Sequence, residues 1–533
     1  MPSFLLPAGF GLPELLERLA PVGILDAGAD LTSRLTFLDT FDWRLHRAGW
    51  SLERGGEDAR GWLRLRPLDG GPTLARHAGP AIRFARELPA GALRDLLEPV
   101  IHPRALVAIA TAVVTETPVV VRSAAGRAAT RLGFISTRVG PPGAEPALPL
   151  RPVLAVPPGP RAAAVRALCA AWPECEPAPT DRIAAALEPL GRSPRAYSGK
   201  VKVPLEGTLP SRDAARALLL HLLGTMEANL SGVREDLDPE FLHDLRVAVR
   251  RTRSALGQIK GVLPPATASR FAREFAWLQE LTGPARDLDV FVLELPTLGR
   301  LLPARSRPSL GPLARLLERK RRAAHADLAR AIDEPRFAQL RADWRAFLLR
   351  PTPKRPSGAP NALLPCSELA VERIDKLHRR AVREGAAIGD ASPAADLHEL
   401  RKTCKKLRYV VEFFHSLLEQ EAAEAAIASL KGLQDTLGGF QDLQVQASAL
   451  LGYARELARE GKAAPPTYIA LGMLVERLRE EQARARIEFA ERFSEFSRRS
   501  GRKNWQRLLA TAAQATAPPA GTAAPRRKEG RRG

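Results

Sequence analysis

The spacing of apolar residues divides this chain into two regimes. Over residues 1–200 apolar and polar positions alternate in short runs, the two-residue period of a half-buried strand. "GWSLERGGEDARGWLRLRP" carries two such runs around Gly55 and Gly56, and "TPVVVRSAAGRAATRLGF" carries two more around Gly126, so each predicts a hairpin. "RPVLAV" is a further extended run that stops at Pro157-Pro158-Gly159-Pro160, and helical spacing covers about 12–20, 90–98 and 161–171. These elements predict an α+β domain with antiparallel strands. From about residue 210 apolar positions recur every three or four residues, which predicts an all-α region interrupted at 296–312, 350–360 and 385–395. The final "ATAPPAGTAAPRRKEGRRG" reads as a disordered basic tail over 511–533.

The helical region repeats itself. "LHDLRVAVRRTR" at 242–253 matches "LHELRKTCKKLR" at 397–408, and "LQELTGPARDLDV" at 278–290 matches "LQDTLGGFQDLQV" at 433–445, both 155 residues on. One shared offset implies a duplicated unit, with repeats over about 210–350 and 362–510 folding as two bundles about an approximate two-fold axis.

Each basic segment has a helix start: Asp238 before Pro239, and Ser392 before Pro393. At 100° per residue His243, Arg246, Arg250 and Arg253 share an arc of about 80° beside an apolar stripe of Leu242, Leu245, Val249 and Leu256. The second copy sets His398, Arg401, Lys405 and Arg408 beside Leu397, Leu400, Cys404 and Val411, and Arg251, Lys402 and Lys406 widen the two rows. Each row extends along about 15 Å of helix. Arg246 meets Arg250, and Arg401 meets Lys405, at i+4, like-charge contacts that cost roughly 0.2–0.5 kcal/mol each. Such repulsion in both copies calls for an external anion, held by charge-assisted hydrogen bonds to an extended phosphate. The two histidines fit either a phosphate donor or a structural hydrogen bonder. Asp287 and Asp442 in the second motif fit either helix caps or partners for the arginines, and Gly283 and Gly438 fit a turn.

Charge distribution sharpens this picture. Of the net +21, residues 201–533 supply +16, with 56 Lys/Arg against 40 Asp/Glu. That balance favours a polyanionic partner. Cys169, Cys175, Cys366 and Cys404 lack metal-ligand or disulfide spacing, and no apolar run reaches the roughly 18 residues of a membrane span. A reducing cytoplasm and no metal, cofactor or membrane are the expectations.

The paired "LHDLRVAVRRTRSAL" and "LHELRKTCKKLRYVVEFF" motifs resemble the CHAD family, the conserved histidine α-helical domain, over about 210–510. The resemblance implies two pseudo-two-fold-related helical bundles around a basic surface that binds inorganic polyphosphate without catalysis, with association to polyphosphate granules. The binding set it implies is His243, Arg246, Arg250, Arg251, Arg253, His398, Arg401, Lys402, Lys405, Lys406 and Arg408.

Residues 1–203 resemble a degenerate CYTH domain in "TFLDTFDWRLHRAGWSLERGGEDARGWLRLRP" and in later β segments ending near "SGKVKV". That family is an antiparallel β tunnel, barrel-like in form, that binds triphosphates with basic side chains and metal with the glutamates of an E-x-E-x-K strand. Here the first acids, Glu14 and Glu17, fall in a helical pattern, so the metal signature is missing. Arg64 and Arg66 alternate onto one strand face as secondary phosphate contacts. Two alternatives to polyphosphate binding stand: a CYTH-type enzyme processing triphosphate or polyphosphate, and nucleic-acid binding. The second is weakened because neither basic row offers an aromatic before Tyr409 for base stacking.

Overall fold

The computed structural model describes residues 2–56, 61–123, 129–351, 357–389, 391–498, 503 and 505–510. The chain forms two compact units, Met1–Ser198 and Gly199–Gly533. The tail over 511–533 and the turn around Gly126 lie outside the described residues.

The first unit is built on one antiparallel sheet. Its order is Glu176–Pro177, Ser3–Leu5, Val153–Ala155, Ala129–Gly140, Leu106–Arg122, Leu31–Thr40, Trp50–Gly55, Trp62–Pro67 and Ala75–Ala78. Both expected hairpins form, one pairing Trp50 with Pro67 through Gly55 with Trp62, the other Thr111 with Gly140 through Arg122 with Ala129. The three expected helices appear as Leu12–Leu19, Ala92–Ile101 and Ala162–Ala170, with Glu14 and Glu17 on the first. The expected strand at "SGKVKV" does not form. The sheet ends at Glu176–Pro177, and the Ser416 hydroxyl meets the segment instead, donating to Val203 O at 3.1 Å and accepting from Leu205 N at 3.0 Å.

The second unit is all helical. Ser211–Ala228, Pro239–Gln258 and Pro265–Leu281 begin 155 residues before Cys366–Ala386, Ala394–Phe413 and Gln420–Glu460. A local two-fold demands reciprocal contacts, and they are present: Ser211 N donates to Leu364 O and Cys366 N to Leu209 O, both at 2.8 Å, around a Pro210–Pro365 bridge. The repeats also share a core, where Leu288, Phe291, Leu313 and Leu317 pack with Leu450, Leu457, Leu471 and Leu474. Among the described residues no helix is long and apolar enough to cross a membrane.

Proline accounts for the main departure between the repeats. In the first, the chain breaks at Thr282 and restarts as Gly283–Arg300, with Pro284 in its first turn, where a missing N–H costs nothing. Gly439 stands at the equivalent place and keeps its N–H, so Gln420–Glu460 runs through as one helix. Gly438 is therefore helical rather than a turn. The break expected from residue 296 begins later, because Gly283–Arg300 continues through Pro296. Burial of Leu295 and Leu298 in the shared core offsets the roughly 3 kcal/mol such a proline costs.

Candidate anion-binding site

The first basic helix, Pro239–Gln258, starts as its sequence requires. Asp238 caps it, accepting from Glu240 N at 2.9 Å and Phe241 N at 3.3 Å. Ser392 does not cap the second, Ala394–Phe413; its hydroxyl accepts from Gly389 N, and Pro393 takes the cap position. The apolar stripes are buried in both, with Leu245, Val249, Leu400 and Cys404 at most 1% exposed. Burial of these stripes fixes the helices and turns the cationic rows away from the cores.

Arg250, Arg253, Ser254 and Gly257 of the first basic helix line a cleft of about 510 Å³ that Lys402, Lys405, Lys406 and Tyr409 of the second also line. The far wall is Ala268, Ser269, Ala272 and Gln279 from Pro265–Leu281. Cations from the two copies thus converge on one space.

The expected residues separate by what holds them. Arg246 donates to Gln279 O and Thr282 Oγ1, each at 2.7 Å, and Arg253 donates to Gln279 Oε1 at 2.7 Å. Arg401 donates to Gln441 Oε1 at 2.6 Å with Asp442 at 3.5 Å, and His398 Nδ1 lies 2.8 Å from the same Gln441 oxygen. His243 is half-buried. Lys402 pairs with Glu399. Arg251 is committed inside the fold, donating to Gly199 O at 2.7 Å and Glu412 Oε2 at 2.9 Å, and Arg408 donates to Glu412 Oε1 at 3.2 Å. Arg250, Lys405 and Lys406 have no carboxylate within 4.0 Å among the described residues.

The electrostatics follow from that crowding. Burial, then Arg401 and Arg250, push the Lys405 ammonium down to about 8, with Asp442 opposing. Burial, then Arg250, push Arg246 down to about 10, against the pull of Asp287. The Nε atoms of Arg246, Arg250 and Arg401 are buried without a hydrogen-bond partner. A concentrated positive field with unspent donors suits a multiply charged oxyanion.

Sequence reasoning missed the seats of the arginines. A Cβ at Gly438 would stand 3.0 Å from Arg401 Nη2, and one at Gly283 would stand 3.8 Å from Arg246 Nη1. The repeated glycines face the first arginine of each row, and Asp287 and Asp442 lie within helices as arginine partners rather than as caps. Their shared 155-residue offset with the basic motif was the available signal.

In the first unit Arg64 is paired rather than free. It donates to Glu53 Oε2 through Nε at 2.9 Å, Arg182 donates to Oε1 at 2.7 Å, and Arg66 lies 3.9 Å away. Glu53 is fully buried. Burial and Arg64 push the Arg66 guanidinium below its ordinary range. Among the described residues no group of three or more His, Cys, Asp or Glu side chains is placed to hold a metal.

A duplicated helical unit with a shared basic cleft is the class this arrangement defines. Residues 217–451, within the helical unit, match the family model of the CHAD domain. The chain is also similar to two solved structures. The CHAD domain from the plant Ricinus communis has 27% identity and a TM-score of 0.45, over 55% of this chain and 95% of that one. PptA from Streptomyces chartreusis has 22% identity and a TM-score of 0.41, over 54% of this chain and 99% of that one. Comparison with curated proteins gives no match.

Proposed function

We propose that the helical unit binds inorganic polyphosphate without transforming it, and that this binding associates the protein with polyphosphate granules in the cytoplasm. The observation that carries the reading is the meeting of Arg250, Lys405 and Lys406, drawn from both copies, at one cleft without a protein carboxylate to balance them. A flexible chain of phosphates supplies repeated charge along that cleft, whereas one phosphate ion would meet only part of it. Tyr409 favours this ligand over single-stranded nucleic acid. It is 7% exposed, and Arg251 and Arg408 stand 5.8 and 5.3 Å from its ring centroid, so it offers little face to a base.

The test is titration of the full chain with polyphosphate of defined length, triphosphate and single-stranded nucleic acid at equal phosphate concentration. Long polyphosphate should bind tightest, with strong salt dependence. The double variant Arg250→Glu, Lys405→Glu should lose that binding while keeping its helical circular dichroism, since neither side chain belongs to the apolar stripe. Unchanged affinity in the folded variant, or displacement of polyphosphate by nucleic acid, refutes the reading.

A further inference from the structure

The two-fold relation between the repeats is also broken at Gly257 and its equivalent Glu412, beside the cationic rows. Residues 155 apart are equivalent, so Arg253 corresponds to Arg408, Arg251 to Lys406, and Gly257 to Glu412. On one side Arg253 and Lys406 line the open cleft together with Gly257. On the other, their equivalents Arg408 and Arg251 both bind Glu412, one on each carboxylate oxygen, at 3.2 and 2.9 Å. Glu412 and Arg251 are 14% and 12% exposed, so this pair is largely withdrawn from water. The surroundings change in the same sense. Ala272 of the open side corresponds to the larger Ile427.

We propose that Glu412 is an internal anion that takes the place of a phosphate in the second half-site, leaving the Gly257 side as the single binding cleft. This rests on the polyphosphate reading above. A carboxylate bridging two guanidinium groups makes the contacts that two oxygens of a phosphate would make. Among the described residues the two half-sites are thereby unequal, so one polymer segment is held on the Gly257 side of the axis.

The test moves the carboxylate. A Cβ at Gly257 meets nothing within 4 Å, and glutamate is a better helix former than glycine, so Gly257→Glu should fold. Binding of defined-length polyphosphate by the full chain is measured over a salt series for wild type, Gly257→Glu, Gly257→Gln and Glu412→Gln. Gly257→Glu should weaken binding by about tenfold or more and flatten the salt slope by roughly 0.7 for each of Arg253 and Lys406 it satisfies, by analogy with single-stranded polyanions. Gly257→Gln, of equal size and no charge, should weaken binding less and keep the slope. Glu412→Gln should tighten binding and steepen the slope as Arg251 and Arg408 become available. Wild-type affinity and slope in Gly257→Glu overturn the proposal, and they decide the matter alone if Glu412→Gln fails to fold. Absence of polyphosphate binding by wild type would instead fell the functional reading, and this inference with it.

Discussion

Replacing Lys405 with methionine should stabilise the free protein while weakening its hold on polyphosphate. Methionine keeps the unbranched stem and removes a cation that burial, Arg401 and Arg250 hold down to about 8 against an ordinary 10.5. A difference of that size corresponds to at most about 3.4 kcal/mol between the two protonation states. Partial exposure and salt screening reduce the recoverable part to about 1–2 kcal/mol. For a helical unit of this size that predicts a rise in Tm of roughly 1.5–3 °C at pH 7. The size of the effect depends on pH. Because the folded-state value is depressed, the unfolded chain binds more protons between about pH 8 and 10.5, so wild-type stability rises through that window. The advantage of methionine is therefore full below pH 8 and absent above 10.5. Loss of one charge-assisted contact of about 1.5–3 kcal/mol should weaken polyphosphate binding by roughly 10- to 100-fold. Calorimetric melting at pH 7 and at pH 11, with titration of polyphosphate at pH 7, reads both effects. A lower Tm at pH 7, or unchanged affinity, refutes the electrostatic account of the cleft.

The same residue sets a pH profile: wild-type affinity should fall as pH rises through about 8, where Lys405 sheds its proton, and titration of Lys405→Arg from pH 7 to 9 should be flat. In the first unit Glu53→Ala leaves Arg64 and Arg182 facing a buried hole, which should cost about 3–5 kcal/mol in denaturant melts of that unit. Melting of the helical unit, followed separately, should be unchanged.

Most of the helical architecture was legible because three signals agreed: period, start residues and a constant offset. The Asp238–Pro239 start and the stripes of Leu245, Val249, Leu400 and Cys404 all lie where the pattern put them. What the pattern missed depends on contacts between elements. Pro296 reads as a break, yet a shared core between repeats carries the helix past it. Gly438 reads as a turn, yet without proline beside it the helix runs on and the glycine seats Arg401. Arg64 and Arg66 read as a free strand face, yet cross-strand register puts Glu53 opposite Arg64. Glu412 was readable in principle, since it stands at i+4 from Arg408. Its bond to Arg251, 161 residues away in sequence, was not.

The two cationic rows look alike in sequence, but the fold balances them unevenly, and this narrows the site. At the start of each row Arg246 and Arg401 are held by polar groups of the neighbouring helices. At the far end of the second row Glu412 satisfies Arg408 and also Arg251. The repulsion that the sequence shows along whole helices is thus relieved at the ends and concentrated where Arg250, Lys405 and Lys406 meet. A ligand that merely screened surface charge would act evenly on both rows. One that binds here must work at the centre, where the depressed Lys405 ammonium regains its charge as an oxyanion approaches. Binding above pH 8 should therefore take up protons, and an affinity that fails to change with pH would mean that the phosphate chain rests on the exposed ends instead.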